Sequence, residues 1–141
     1  MFLGTYMPKL DDKGRFFVPA KFRDDLAGGL VITRNQERSL AIYPLPAFVE
    51  MVKKIKASAT TLKQLRDLDR MLAAGASDDA PDKQGRLTIP PVLRSYAGLE
   101  TQIVVIGAID RLEVWDEAAW QHYSSEQELN FADLNEQIVR E

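Results

Sequence analysis

Two kinds of hydrophobic pattern alternate along the chain. Short runs in which apolar and polar residues alternate, bounded by Gly, Pro, Asn and Asp, are typical of strands. Such runs predict strands at residues 15–18, 30–34, 39–43, 86–89, 102–107 and 111–115. Apolar residues at helical spacing predict helices at residues 20–26, 46–56, 61–74 and 91–97. The pattern therefore predicts an α+β protein.

The chain contains an internal repeat. Residues 4–23 align with residues 75–94 at an offset of 71, and the match resumes after one inserted residue through 40–48 and 112–120. Self-similarity at a fixed offset indicates a duplication. The identical pairs in the first block are Gly4/Gly75, Asp11/Asp82, Gly14/Gly85, Arg15/Arg86, Pro19/Pro90 and Arg23/Arg94.

The repeat predicts how the chain is organised. Two β-rich units this small would be marginal alone, so they are expected to complete each other's core. We expect either a pseudo-twofold β-barrel of the double-split, swapped-hairpin kind or an interlocked pair of hairpins, with flanking helices. The predicted segments are a first unit (5–47), a helical connector (48–75), a second unit (76–119) and a polar tail (120–141), which is helical or disordered.

Composition excludes several classes of function. The chain has no cysteine and one histidine, so disulfides, thiolate catalysis and multi-histidine metal sites are excluded. Its carboxylate clusters fall mostly on turns with basic neighbours, and no phosphate-binding glycine loop is present. We therefore expect no enzyme activity, cofactor, metal or small-molecule substrate. No signal peptide or membrane helix is evident, so a cytoplasmic location is expected.

Charge is unevenly distributed, although the net charge is −3. Residues 1–56 hold ten Lys/Arg against six Asp/Glu, whereas residues 57–141 hold eight against fifteen. A basic first half can present a local positive face in a chain that is acidic overall.

Each copy carries the spacing D-x-x-x-R, from Asp11 to Arg15 and from Asp82 to Arg86. An arginine just past a tight turn would project from a β-ribbon, and a two-stranded ribbon fits the DNA major groove. Arginine bonds guanine with two nitrogens or clamps a phosphate. The residues alone also allow a second interpretation, in which Asp and Arg only pair across a turn.

Other repeated or flanking residues extend this candidate site. Lys13 and Lys83 lie on the two turns and would attract phosphates. Arg23 and Arg94 would reach a phosphate from behind the turn, or make an internal ion pair or a subunit contact. The matched aromatic residues are expected in the core, namely Tyr43, Phe48, Trp115 and Trp120.

Several stretches together resemble the MraZ family over about residues 1–123. They are MFLG, DDKGRFFVPAKFRDDL, IYPLPAF, DKQGRLTIPPVLRSYAGL and LEVWDEAAW. The resemblance implies two SpoVT-AbrB-type units per chain and a closed ring of chains, most often an octamer. It implies a transcriptional regulator of division and cell-wall genes that binds short direct repeats in double-stranded DNA, in the cytoplasm at the nucleoid. The residues expected to contact DNA are Arg15, Arg86, Lys13, Lys83, Asp11 and Asp82.

An alternative function stays open. AbrB-like units also occur in antitoxins, so the hairpins could bind a protein partner, in an antitoxin-like or ring-scaffold module.

Two departures from the repeat bear on the relative contribution of the two copies to binding. Phe17 stands where the second copy has Thr88, and Pro81 stands where the first has Leu10, so the second leading strand is expected to be shorter.

Overall fold

The computed structural model describes residues 1–134, which form eight strands and five α-helices. The strands are β1 (Phe2–Tyr6), β2 (Arg15–Phe17), β3 (Leu30–Arg34), β4 (Leu40–Pro44), β5 (Ala76–Asp79), β6 (Arg86–Thr88), β7 (Ile103–Ile109) and β8 (Leu112–Asp116). The helices are α1 (Arg23–Leu26), α2 (Leu45–Lys56), α3 (Leu62–Ala74), α4 (Pro91–Tyr96) and α5 (Glu117–Ala132). Short 3₁₀ turns span Ala20–Phe22 and Gln36–Arg38.

The strands interlock the two copies of the repeat. Six strands form an antiparallel sheet in the order β1-β7-β8-β4-β3-β5, and β2 pairs with β6 in a separate ribbon. The first strand of each copy lies against the third strand of the other, β1 on β7 and β5 on β3. If each strand is replaced by its counterpart in the other copy, the same order results, read from the opposite edge of the sheet. The fold therefore has a pseudo-twofold axis. The predicted α+β class and interlocked copies are confirmed, although the strands of residues 1–134 form an open sheet and a ribbon.

The pseudo-twofold axis passes through two cross-copy pairs. In the ribbon, Phe16 lies directly opposite Leu87, and in the sheet Ala41 lies opposite Glu113. Phe16 and Leu87 are each only 1% exposed and join the same core as the inward side chains of the six-stranded sheet. Neither copy has a complete core of its own, because the central ribbon needs one strand from each.

Prolines end the ribbon strands and lead into the short helices. The ribbon continues one residue beyond each strand, because the amides of Val18 and Ile89 donate to the turn carbonyls of the other copy. Pro19 and Pro90 follow and have no N–H to extend the ladder. Their φ angles of −50° and −57° suit the residue before a helical turn.

The longer helices follow the sheet strands. Helix α2 begins at Leu45 directly after β4, and α3 begins after Thr61, whose side chain accepts a hydrogen bond from the Gln64 amide. Asp116 caps α5 in the same way, through the Ala119 amide. Helix α5 therefore starts inside the predicted second unit and makes much of the predicted tail helical. Residues 135–141 of that tail lie outside the described residues.

Aromatic contacts dock these helices onto the sheet. Trp115 packs on Trp120 and Tyr123 of α5 with ring centroids 5.1 and 4.9 Å apart, and Tyr43 meets Phe48 of α2 at 6.2 Å. These contacts show the packing role that was expected for the matched aromatic residues. Tyr43 and Trp115 are buried. In the part of the chain that the structure describes, no helix combines the length and apolarity needed to cross a membrane.

Adjacent phenylalanines in the ribbon test the inward and outward alternation of β2. Phe16→Ala should lower the free energy of unfolding by about 3–5 kcal/mol, because it leaves a cavity at the axis of the core. The matched variant Phe17→Ala removes a side chain that is 53% exposed, and should change stability by about 0.5 kcal/mol or less. Urea unfolding at one fixed protein concentration measures both, and equal losses would contradict the alternation.

Candidate nucleic-acid interface

The first D-x-x-x-R segment is a tight turn closed by its own aspartate. Asp11 Oδ1 accepts hydrogen bonds from the backbone amides of Lys13 and Arg15, at 2.9 and 2.8 Å. The amide of Gly14 donates to the Asp11 carbonyl at 3.0 Å. Gly14 has a φ of +80°, which only glycine adopts at little cost. Asp and Gly therefore build the turn from local contacts alone.

The second turn repeats this geometry. Asp82 Oδ1 accepts from the amides of Gln84 and Arg86 at 2.9 and 2.8 Å, and Gly85 has a φ of +82°. The residue two after the aspartate contributes only its backbone amide, so Lys in one copy and Gln in the other serve equally well.

Each aspartate also fixes its arginine. The Nε atoms of Arg15 and Arg86 donate to the Oδ2 atoms of Asp11 and Asp82, both at 2.8 Å. Within residues 1–134 no hydrogen bond occupies the two terminal nitrogens, Nη1 and Nη2, of either arginine. The side chains of Arg15 and Arg86 are 30% and 25% exposed. Each guanidinium is thus held in place while its outer edge stays available to a ligand.

The turn also perturbs the carboxylates. The backbone amides of Arg15 and Arg86 hold the pKa of Asp11 and Asp82 below the ordinary value of 3.8. Partial desolvation opposes this shift, and the hydrogen bonds from the arginine side chains reinforce it. Both carboxylates are therefore charged at neutral pH and accept the hydrogen bonds from the arginine Nε atoms in that state.

The ribbon brings the two motifs onto one surface. Arg15 lies opposite Thr88, and Phe17 lies opposite Arg86. Because opposite residues of an antiparallel pair share a face, these four side chains point outward while Phe16 and Leu87 point inward. The two arginines are diagonal neighbours, with backbone positions roughly 7–8 Å apart. From the sequence each arginine was expected to project from a β-ribbon; the structure places both on the same face of a single ribbon.

The turns lie at opposite ends of this ribbon. The Gly85 carbonyl accepts from Val18, and the Gly14 carbonyl accepts from Ile89, so each turn abuts the far end of the other copy's strand. A rise of about 3.4 Å per residue sets the turns about 14 Å apart. Lys13 and Lys83 are both exposed, one on each turn. The chain therefore has a lysine at both ends of a face with two arginines at its centre.

Phe17 and Thr88 complete this face, and neither was predicted from the sequence to belong to the site. In the sequence they stand out only as a difference between the two copies. The alternation of β2 carried the signal, because a strand that starts outward at Arg15 and turns inward at Phe16 must point outward again at Phe17.

Arg23 and Arg94 lie beneath the turns of the opposite copy. A Cβ atom placed on Gly14 would lie 2.7 Å from the Arg94 guanidinium carbon, and one on Gly85 would lie 2.6 Å from that of Arg23. Arg23 Nε also donates to the Val18 carbonyl at 3.0 Å. The described residues hold no ion pair to either arginine, so the contact observed is packing between the copies. This packing is a second reason why the turns require glycine.

Both halves of the chain match the same family of known proteins. A family model described as "MraZ protein, putative antitoxin-like" matches residues 1–71 and again 72–140. The chain belongs to the MraZ family. The resemblance inferred from the sequence is thereby confirmed, and the two matched ranges agree with the duplication.

Relatives named "Transcriptional regulator MraZ" align over nearly their whole length. The protein from Cutibacterium acnes is 62% identical over 141 residues, covering 100% of this chain and 99% of its own. That from Thermobifida fusca is 52% identical over 139 residues, covering 99% of this chain and 97% of its own. That from Salinispora arenicola is 52% identical over 139 residues, with coverage of 99% and 98%. The finer division at residues 47, 75 and 119 stays a prediction.

Acid should remove the stabilisation that the two aspartates provide. A carboxylate whose pKa is lower in the folded state stabilises it above the unfolded pKa, and this contribution disappears as pH falls through the folded pKa. Asp11→Asn/Asp82→Asn should therefore be less stable than wild type at pH 7, with the difference shrinking below about pH 4. Urea unfolding across pH measures it, with the exposed Asp25→Asn as control. A difference that is the same at both ends of the pH range would contradict this account.

Proposed function

We propose that this chain is a sequence-specific regulator of transcription that places the β2–β6 ribbon in the major groove of double-stranded DNA. The observation that carries the proposal is the pair of aspartate-fixed arginines on one outward ribbon face. The relatives named as transcriptional regulators support it. Binding to chromosomal DNA would locate the protein in the cytoplasm, at the nucleoid.

The shape of the ribbon supports entry into the groove. The major groove of B-DNA is about 12 Å wide and admits a two-stranded ribbon. The centre of the outer face presents Arg15 and Arg86, whose Nη1 and Nη2 atoms match the O6 and N7 acceptors of guanine. Because Asp11 and Asp82 already hold the Nε atoms, less side-chain entropy is lost on binding. The aspartates thus act as positioning residues and need not touch DNA.

The turns supply the contacts that do not depend on sequence. Lys13 and Lys83 lie at the two ends of the ribbon, near the phosphates that line the groove. Such contacts fix the register of a protein on the duplex and release counterions. Arg23 and Arg94, beneath the turns, add positive charge to the same region but stay committed to packing between the copies.

Removal of the arginines should abolish recognition without unfolding the protein. Arg15→Ala/Arg86→Ala should bind a fragment from upstream of the protein's own gene as weakly as scrambled DNA, because two guanine contacts worth about 1–3 kcal/mol each are lost. Fluorescence anisotropy measures the affinity, and circular dichroism checks the fold. Arg66→Ala, an exposed arginine on α3, is the matched control. Retained preference for the specific fragment in the double variant would refute the proposal.

The lysines should have a different signature. Lys13→Ala/Lys83→Ala should weaken binding to specific and scrambled DNA alike. It should also lower the slope of log affinity against log salt by about 1.8, or 0.9 for each lost phosphate contact. Anisotropy titrations across a salt series measure this slope. An unchanged slope would show that neither lysine meets a phosphate.

Assembly into a ring would explain how a small face holds DNA. One ribbon reaches only a few base pairs, and a chain with net charge −3 has no bulk attraction for DNA. Head-to-tail contacts between chains would repeat the ribbon at a fixed spacing, so that direct repeats engage several ribbons at once. The ring, with eight chains as its expected size, is part of the proposal.

Two helices carry groups of opposite charge that suit this contact. Helix α2 carries Lys53, Lys54 and Lys56 near its end, beside a groove lined by apolar side chains. Helix α5 carries three glutamates and no lysine or arginine. Leu129 and Phe131 near the end of α5 are more than 70% exposed. Opposite charge and uncovered apolar side chains favour α5 of one chain docking on α2 of the next.

Charge reversal tests this contact. Lys53→Glu/Lys54→Glu should shift the particle to lower mass, because the glutamates of α5 then face like charge. Adding Glu126→Lys/Glu128→Lys should restore the original mass. Size-exclusion chromatography with light scattering measures mass, and Arg66→Glu on α3 controls for a general charge effect. If neither charge reversal changes the mass of the particle, the contact between chains does not involve α2 and α5.

The antitoxin-like description of the matching family favours a second candidate, binding of a protein partner by the same ribbon. The anisotropy experiment separates the two candidates. Weak binding to specific and scrambled DNA alike, unaffected by Arg15→Ala/Arg86→Ala, would leave the partner-binding module as the better account.

A further inference from the structure

The outer face of the ribbon breaks the pseudo-twofold symmetry at one pair of positions. The axis relates Arg15 to Arg86, which are identical, and Phe17 to Thr88, which are not. The inward residues between them, Phe16 and Leu87, are both apolar because both lie in the core. Phe17 has no such reason to be apolar, since more than half of its surface is exposed.

The place of Phe17 suggests what covers it. It lies directly opposite Arg86, and Thr88 lies directly opposite Arg15, so each arginine has a different neighbour across the ribbon. If the arginines read guanines, the side chain beside each one meets the adjacent base. An exposed phenylalanine at such a position is suited to the C5-methyl group of thymine, which is the apolar feature of the major groove.

We propose that Phe17 is a specificity-determining residue that contacts a thymine methyl beside the guanine read by Arg86, and thereby sets the direction in which DNA crosses the ribbon. The proposal rests on the proposed DNA-binding function. Two equivalent arginines alone would accept DNA running either way across the axis. Phe17 on one side and Thr88 on the other make the two directions unequal.

The turns also differ between the copies but cannot set this preference by reading bases. Lys13 corresponds to Gln84, and Asp12 corresponds to Lys83, so the lysines occupy non-equivalent places. Their partners are phosphates, which carry no sequence information. Among the outward residues of β2 and β6, only the pair Phe17 and Thr88 differs.

Loss of the methyl group tests the contact without altering the protein. Fragments from upstream of the protein's own gene would carry deoxyuridine in place of one thymine at a time within each repeat. Wild type should lose about fourfold in affinity at one thymine next to a guanine, as expected for one buried methyl group. Phe17→Ser, whose side chain has no methyl group or ring to meet the thymine methyl, should bind the thymine and uracil fragments equally. Val92→Thr, another exposed apolar residue, should behave as wild type.

An exchange of the two residues tests direction. The chain has no cysteine, so Gln84→Cys can carry a single iron-chelate cleavage reagent on the second turn. The labelled protein should cut DNA on one side of each repeat. Phe17→Thr should cut on both sides, because the outer faces of the copies become alike. Phe17→Thr/Thr88→Phe should move the cuts to the opposite side.

The results of these experiments distinguish failure of the Phe17 contact from failure of the proposed DNA-binding function. If wild type shows no preference for the specific fragment, the proposed function fails and the inference fails with it. If binding is specific and depends on Arg15 and Arg86, but no uracil substitution distinguishes wild type from Phe17→Ser, only the role of Phe17 is overturned. Cuts that stay on one side in the exchanged variant would also overturn it.

Discussion

The ribbon formed by β2 and β6 is the constraint on which the rest of the molecule depends. Each strand has only three residues, too few to hold its place alone, and neither pairs with another strand of its own copy. The pairing buries Phe16 against Leu87 on the pseudo-twofold axis and closes one core over both copies. Folding the core and forming the outward arginine face are therefore the same event.

Local chemistry then prepares that face at little cost. Asp11 and Asp82 each satisfy two turn amides with one oxygen and hold an arginine Nε with the other. The interpretation in which Asp and Arg merely pair is therefore compatible with the functional one. The pair is made through Nε, which leaves the terminal nitrogens outward. A preformed guanidinium suits recognition, because its rotamers are already restricted before a ligand arrives.

Duplication within one chain has a consequence for recognition. A true twofold dimer would present identical halves, whereas this chain was free to diverge at Phe17 and Thr88 while keeping both arginines. The core positions between them could not diverge in character, since Phe16 and Leu87 must stay apolar to pack. Symmetry is thus retained where the core demands it and at the two arginines, and it is lost at one outward pair, Phe17 and Thr88.

The duplication, most of the elements, the turn glycines and the aspartate–arginine motif could be predicted from the sequence, because these depend on local periodicity and turn chemistry. The pairing of β2 with β6, which gathers both motifs on one face with Phe17 opposite Arg86, became visible only in the folded chain. The packing of Arg23 and Arg94 beneath the opposite turns was likewise not predictable from the sequence. These contacts join residues about 70 positions apart, and strand pairing over such distances is set by burial of the whole core and not by neighbours in the chain.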